Sequence, residues 1–134
     1  MIVVDSSAII AIAQREPEAE RLVARIAEDG APQISAASVL ECSIVLRSFR
    51  TLPAAAIEAK LDGLLAASGF VVQPVSLEQL VAARLAHIAF GKGTGHPAQL
   101  NFGDCFAYAL AKSLNAPLLY KGGDFAKTDI VSAV

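Results

Sequence analysis

Short apolar runs alternate with longer stretches of helical periodicity along this chain. Ile2 to Val4 is an apolar, β-branched run that stops at Asp5-Ser6-Ser7, after which Ala8 to Ala13 is helix-compatible. Pro17 stands where a first helical turn tolerates proline, and Leu22, Val23, Ile26 and Ala27 recur at helical spacing until Asp29-Gly30. After Pro32, Gln33-Ile34 is a short strand-like stretch. Ser35 is placed to cap a helix carrying Val39, Leu40, Ile44, Val45, Leu46 and Phe49. Pro53 opens the next helix through Leu65, Gly69 closes it, and Phe70-Val71-Val72 reads as a buried strand. Leu77 to Phe90 predicts an amphipathic helix, and the segment from Gly91 to Pro97 is too rich in glycine to continue it. Asp104 to Leu114 predicts a further helix and Leu118 to Tyr120 a last strand, with Gly122-Gly123-Asp124 turning out of it.

Strands alternating with helices predict an α/β fold, because parallel strands need crossover connections and both sheet faces must then be covered. The expectation is an α/β/α sandwich with a central parallel sheet of about four to five strands. A length of 134 residues at 54% hydrophobic content supports one sizeable core and hence a single domain over residues 1–134. No apolar run reaches the ~18 to 20 residues of a spanning helix, and Met-Ile-Val-Val-Asp lacks the basic start of a signal peptide. A cytoplasmic protein without membrane partners is expected. Cys42 and Cys105 form neither a disulfide framework nor a Cys-x-x-Cys pair, so free buried thiols are expected.

A formal charge of -2 argues against a protein that coats DNA with a broad basic face. The distribution says more. Met1 to Ala83 carries ten acids against six Lys and Arg, whereas Arg84 to Lys121 carries four bases and one acid, Asp104. That is either a basic flank beside an acidic centre or ordinary variation of surface charge.

Ligands of open parallel sheets bind beyond the carboxyl ends of the strands, where Asp5 and Asp124 are expected. Taken alone, Asp5 reads first as the N-cap of the helix beginning near Ser7, and the plainer reading of Asp124 is a turn aspartate. Glu41 sits among Val39, Leu40, Cys42, Ile44 and Val45, so a buried charge there needs a partner; a solvent-facing side chain or an ion pair with Arg47 are its plainer readings. Asp104 opens an almost wholly apolar helix whose N-terminus is expected to point into the protein, although a first-turn acid also complements the helix dipole. Asp129 is a fifth acid or another cap. Four carboxylates converging on one sheet edge would repel unless cations neutralised them, and Mg²⁺ or Mn²⁺ takes such oxygen ligands. A carboxylate-bound ion can activate water for attack on phosphorus with no Ser, Cys or His nucleophile.

The Val-Asp5-Ser-Ser-Ala start, Ser-Val-Leu-Glu41, Asn-Phe-Gly-Asp104-Cys-Phe-Ala-Tyr-Ala-Leu-Ala and Leu-Leu-Tyr-Lys-Gly-Gly-Asp124-Phe-Ala-Lys-Thr-Asp129-Ile resemble the PIN-domain ribonucleases. Among these the chain most resembles VapC toxins, over essentially its whole length. The resemblance implies a Mg²⁺- or Mn²⁺-dependent endoribonuclease acting on tRNA, rRNA or mRNA, dimeric and silenced by a cognate VapB-like antitoxin. It maps Asp5, Glu41 and Asp104 onto the core metal-binding acids, Asp124 onto the more variable fourth, and Ser7 onto a hydroxyl residue that orients a carboxylate or water. Ser6 stands where Thr is frequent.

Lys92 and His96 in the glycine-rich loop, and Lys121 beside Asp124, are candidate RNA contacts. Solvation, or for Lys121 an ion pair, is the plainer reading. The helices around Ala8 to Ala13 and Pro53 to Ala67 are either core or a groove for an antitoxin segment. Two other functions compete. A receiver-like phosphoacceptor domain also combines a parallel sheet, strand-end aspartates, Mg²⁺ and a strand-end lysine, but it needs adjacent acids after its first strand. A non-catalytic interaction module could use the same acids to hold structural metal.

Overall fold

The computed structural model describes residues 1–134 and starts with β1 (Val3–Val4), which runs directly into α1 (Ser6–Ala13); α2 (Ala19–Asp29) leads back to β2 (Gln33–Ser35). α3 (Ala36–Ser48) and α4 (Ala54–Ala67) precede β3 (Val71–Gln73), and α5 (Leu77–Phe90) and α6 (Phe102–Leu114) precede β4 (Leu118–Leu119). A 3-10 turn at Phe125–Lys127 follows. The four strands form one sheet in the order β3-β2-β1-β4, and every pair is parallel. That order differs from the 2-1-3-4-5 of receiver-type sheets, which removes the topological ground for a phosphoacceptor domain.

Register distributes the core. Val3 pairs with Gln33 and Leu118, so these residues share one face of the sheet. Ile2, Val4, Ile34 and Leu119 pack with Leu22, Ile26, Leu46, Ile57 and Leu61 from α2, α3 and α4. Val3 and Leu118 pack instead with Ala83 and Ala86 of α5 and the Cys105–Leu110 stretch of α6. The result is the expected sandwich: α1 to α4 on one face, α5 and α6 on the other. Buried alanines on α5 and α6 let those two helices approach closely.

Caps fall where sequence placed them at Ser35, whose hydroxyl accepts from Ala37 N–H at 3.2 Å, and at Gly30, whose φ of 79° ends α2. Pro17 is not in the first turn of α2, which starts at Ala19. Two expectations about burial fail, for β3 and for the start of α6, and α3 departs from its own apolar pattern. β3 is not a buried strand: it ends the sheet, pairs only with β2, and leaves Val71 and Val72 exposed. α3 turns Ser38, Cys42 and Ser43 inward with Leu46 and exposes Leu40 and Ile44, the reverse of its apolar pattern. The N-terminus of α6 lies at the surface, with Phe102 81% exposed.

Candidate active site

Asp5 is the residue at which β1 becomes α1. Its extended backbone makes it the N-cap of α1, and its Oδ2 accepts from Ser7 N–H at 3.0 Å. Its other oxygen, Oδ1, is buried without any hydrogen-bond partner in a residue only 2% exposed. Cap and ligand are therefore not alternatives here: one oxygen serves the helix and leaves the second uncommitted. Burial pushes the Asp5 carboxyl up to about 7; contacts with the hydroxyl and N–H of Ser7 oppose this, and the charges of Asp104 and Glu41 add to it.

Glu41 reaches this end of the sheet from the half-buried side of α3. The Ser6 hydroxyl donates to its Oε1, while its sequence neighbour Arg47 pairs instead with Glu58 at 3.4 Å. The other wall of the Glu41 seat is Gly103. A Cβ at Gly103 would overlap both Glu41 carboxylate oxygens, so glycine is required by close approach.

Asp104, at the third position of α6, closes a capping box with Asn101: its Oδ2 accepts from Asn101 N–H and Asn101 Oδ1 accepts from Asp104 N–H, both at 2.9 Å. Burial lifts its carboxyl to about 6; the Asn101 N–H opposes this, and the charges of Glu41 and Asp124 reinforce it. Asp124 is exposed and stands just before the 3-10 turn that follows β4.

The four acids thus share one electrostatic neighbourhood, in which Asp5 and Asp104 feel acids and no basic side chain. No three His, Cys, Asp or Glu side chains converge tightly enough to chelate a single ion. The carboxylates are turned toward Ser7, Asn101 and Ser6, which is where hydrogen-bond donors hold like charges apart. The donor set still fits a hard divalent cation: every ligand is oxygen, and Asp5 Oδ1 is a buried acceptor with nothing to accept from.

A sequence profile of the PIN domain matches residues 2–131. This chain belongs to the PIN-domain family. It is 47% identical over 133 residues to Ribonuclease VapC28 of Mycobacterium tuberculosis, covering 99% of this chain and 98% of that protein. It is 43% identical over 131 residues to Ribonuclease VapC of Mycolicibacterium smegmatis, covering 98% of each. Those similarities put it in the VapC branch of the PIN family. Among solved structures, M. tuberculosis VapC20, described as a sarcin-ricin loop cleaving toxin, superposes with a TM-score of 0.75 at 19% identity, covering 98% of this chain and 97% of that one. At that identity the likeness speaks for the fold.

Other residues singled out in this PIN sequence have structural partners. Ser7 Oγ accepts from Lys121 N–H at 3.0 Å, tying the segment after β4 to α1. The Lys121 ammonium itself pairs with Glu16 at 2.7 Å and Glu18 at 3.3 Å. Asp129 joins no other acid: its Oδ1 accepts from the Tyr108 hydroxyl at 2.5 Å and its Oδ2 from Lys112 at 2.9 Å. Desolvation pushes the Asp129 carboxyl up, but Tyr108 and Lys112 together hold it below its usual value. His96 Nδ1 accepts from Ala98 N–H at 3.0 Å, and its ring meets Phe90 edge-on, so it braces the glycine-rich loop. Lys92 is exposed. Cys42 and Cys105 are free, buried thiols; burial, then Asp5 and Glu41, pushes Cys42 up to about 12, which suits packing and not ligation.

Ser6, Asn101 and Gly103 fall within the family-like segments quoted from the sequence but are assigned no role at the site there. Gly103 carried a usable signal, since a glycine within a helix costs about 1 kcal/mol relative to alanine and implies a compensating contact. Ser6 carried none, because its partner is 35 positions away.

Proposed function

We propose that this PIN-domain chain, a single domain over residues 1–134, is an endoribonuclease toxin of the VapC kind. Asp5, Glu41, Asp104 and Asp124 are its metal-binding and catalytic acids, and Mg²⁺ or Mn²⁺ its cofactor. The observation that carries this is the unpartnered Asp5 Oδ1, buried beside Glu41 and Asp104 with no basic side chain to offset them. When bound, the cation supplies charge neutralisation and a more acidic water. Asp5 and Asp104 present to it the oxygens their caps leave free, and Ser6 and Gly103 fix the Glu41 carboxylate against the same space. Ser7 steadies Asp5 through its N–H and anchors Lys121 through its hydroxyl. Asp124, exposed just before the 3-10 turn, is the outermost acid of the set.

The substrate is RNA of the tRNA, rRNA or mRNA class, and the partners are a VapB-like antitoxin and a second copy of the chain, in the cytoplasm. An apolar groove of about 410 Å³, lined by Ile9, Ile12, Val23, Ile26, Leu64 and Phe70, lies away from the acids and supports the antitoxin. The exposed Leu77, Val81, Leu85 and Ile88 of α5 support the dimer. No helix is long and apolar enough to cross a membrane.

The test is cleavage of a tRNA and rRNA panel by wild type and Asp104→Asn in Mg²⁺, Mn²⁺ or EDTA. Cutting should require the metal and fall more than about a hundredfold in the variant, since even outer partners of metal ligands are worth 10–100-fold. Cutting that survives EDTA, or is unchanged in Asp104→Asn, overturns the reading. Metal affinity with no cleavage of any RNA would favour a non-catalytic module.

A further inference from the structure

The same turn of α6 that carries Asp104 also carries an aromatic ring standing in water. Phe102 is 81% exposed, and its ring meets Phe106 edge-on with centroids 5.0 Å apart. The two rings form one wall of a groove between α6 and α5, about 330 Å³ in volume, whose other wall includes Leu80, Arg84 and His87. Phe102 adjoins Gly103, which packs against the Glu41 carboxylate, so the backbone of this platform starts at the acid cluster, while the ring, two residues or about 200° of turn from Asp104, points away from that carboxylate. The capping box holds Asn101 and Asp104 in register and so fixes Phe102 between them.

Neither ring serves the core. Phe102 belongs to neither buried cluster, and α5 and α6 seal against each other through Ala83, Ala86, Cys105 and Ala109. Arg84 is the one Lys or Arg side chain that lines the groove, and no acid lines it. A ligand with a flat π-face and a negative backbone matches an aromatic wall opposite an arginine. A single-stranded nucleic acid has both.

We propose that this groove is a nucleobase-stacking subsite of the same centre: Phe102 and Phe106 receive an unpaired base of the RNA next to the scissile bond, and Arg84 and His87 line its phosphate. This rests on the ribonuclease reading and deepens it by assigning the substrate a splayed, single-stranded stretch at the cut. Stacking on a ring is tolerant of base identity, so the subsite fixes strand position, while sequence preference arises elsewhere.

The test uses the full chain with Mg²⁺ and fluorescently labelled single-stranded RNA oligonucleotides covering all four bases, with Asp104→Asn added to every protein in the binding assay so that the strand is bound and not cut, and with cutting measured separately in the Asp104 background. Anisotropy should show affinity falling about tenfold or more in Phe102→Ala, nearly as far in Phe102→Leu, and staying within about twofold in Phe102→Tyr. Arg84→Ala should reduce the slope of log affinity against log salt by about one phosphate contact. Circular dichroism checks the fold. Unchanged affinity in both Phe102→Ala and Phe102→Leu, in a protein that still cuts RNA, overturns the subsite and leaves the nuclease standing. A wild type that neither binds nor cuts RNA removes both. If Phe102→Ala halves the mass by light scattering with RNA affinity per subunit intact, the groove is covered by a second copy and the proposal fails.

Discussion

At the carboxyl end of β1, polar atoms are buried without partners; along the outer side of α5, apolar side chains stand in water without cover. The two regions break the apolar-inside, polar-outside pattern in opposite senses, while the core between them obeys it. Asp5 Oδ1 has no donor, and the Asp5 and Asp104 carboxyls are pushed to about 7 and 6. Leu77, Val81, Leu85 and Ile88 have no neighbouring layer. A buried, unpaired carboxylate is relieved by a cation, and an exposed apolar stripe by another surface. Departures from local consistency mark places where something else binds, and their sign says what kind of thing it is.

The difference is broken most severely at Gly103, where the acid region has no slack. Gly103→Ala removes a helix-disfavouring residue and would by itself stabilise α6 by about 1 kcal/mol. Here the added Cβ meets the Glu41 carboxylate, so the expected outcome is the opposite: a net loss of about 1–3 kcal/mol in thermal unfolding and at least a tenfold loss of RNA cleavage. The double variant Gly103→Ala, Glu41→Ala should recover the stability and none of the activity. A stable, active Gly103→Ala would mean that Glu41 is free to move and that its seat is not built.

Protonation sharpens the same contrast, with a smaller effect. Asp5 and Asp104 have folded-state values of about 7 and 6, above the ordinary 3.8, so the folded protein holds protons that the unfolded chain has released. Their contribution to stability is complete below about pH 3.8 and is lost as pH rises through 6 and 7. In EDTA, the acid region should therefore lower the melting temperature by a few degrees between pH 5 and pH 8. Mn²⁺ should restore it at pH 8 and do little at pH 5, where protons already occupy the carboxylates. Asp5→Asn should flatten the EDTA profile. A metal-free protein whose stability does not fall over that interval would show that Asp5 is not held as described.

The architecture was legible because periodicity reports it. Val3 and Val4, Ile34 and Leu119 are buried in strands a few residues long, bounded by helix-compatible stretches, and α5 was delimited to the residue. Asp5 and Asp104 were legible as candidates because each sits at a helix start that the pattern locates. Burial was less legible. α3 carries Leu40 and Ile44 outward and Ser38 and Ser43 inward, and the apolar pattern of one helix does not by itself say which of its faces the sheet will cover. Val71 and Val72 failed for the same reason: a β-branched run looks alike in a central strand and at an edge. Pairings such as Ser6 with Glu41, or Asp129 with Tyr108 and Lys112, depend on register between distant elements and left no local trace.

The smallest effect on the fold is expected on the exposed side. Ile88 is 71% exposed on α5, so Ile88→Lys removes no core contact, and its stability should change by about 0.5 kcal/mol or less. If the stripe of Leu77, Val81, Leu85 and Ile88 is covered by a second copy, a lysine placed within that contact leaves a charge buried against an apolar surface, and light scattering should show the dimer mass halving at micromolar concentration. Ile88 does not line the Phe102 groove, although Arg84, one helical turn before it, borders both surfaces. Oligonucleotide affinity per subunit should therefore stay within about twofold in Ile88→Lys while the dimer dissociates. Loss of both together would make the two surfaces one, and loss of neither would leave the α5 stripe without the partner its exposure calls for.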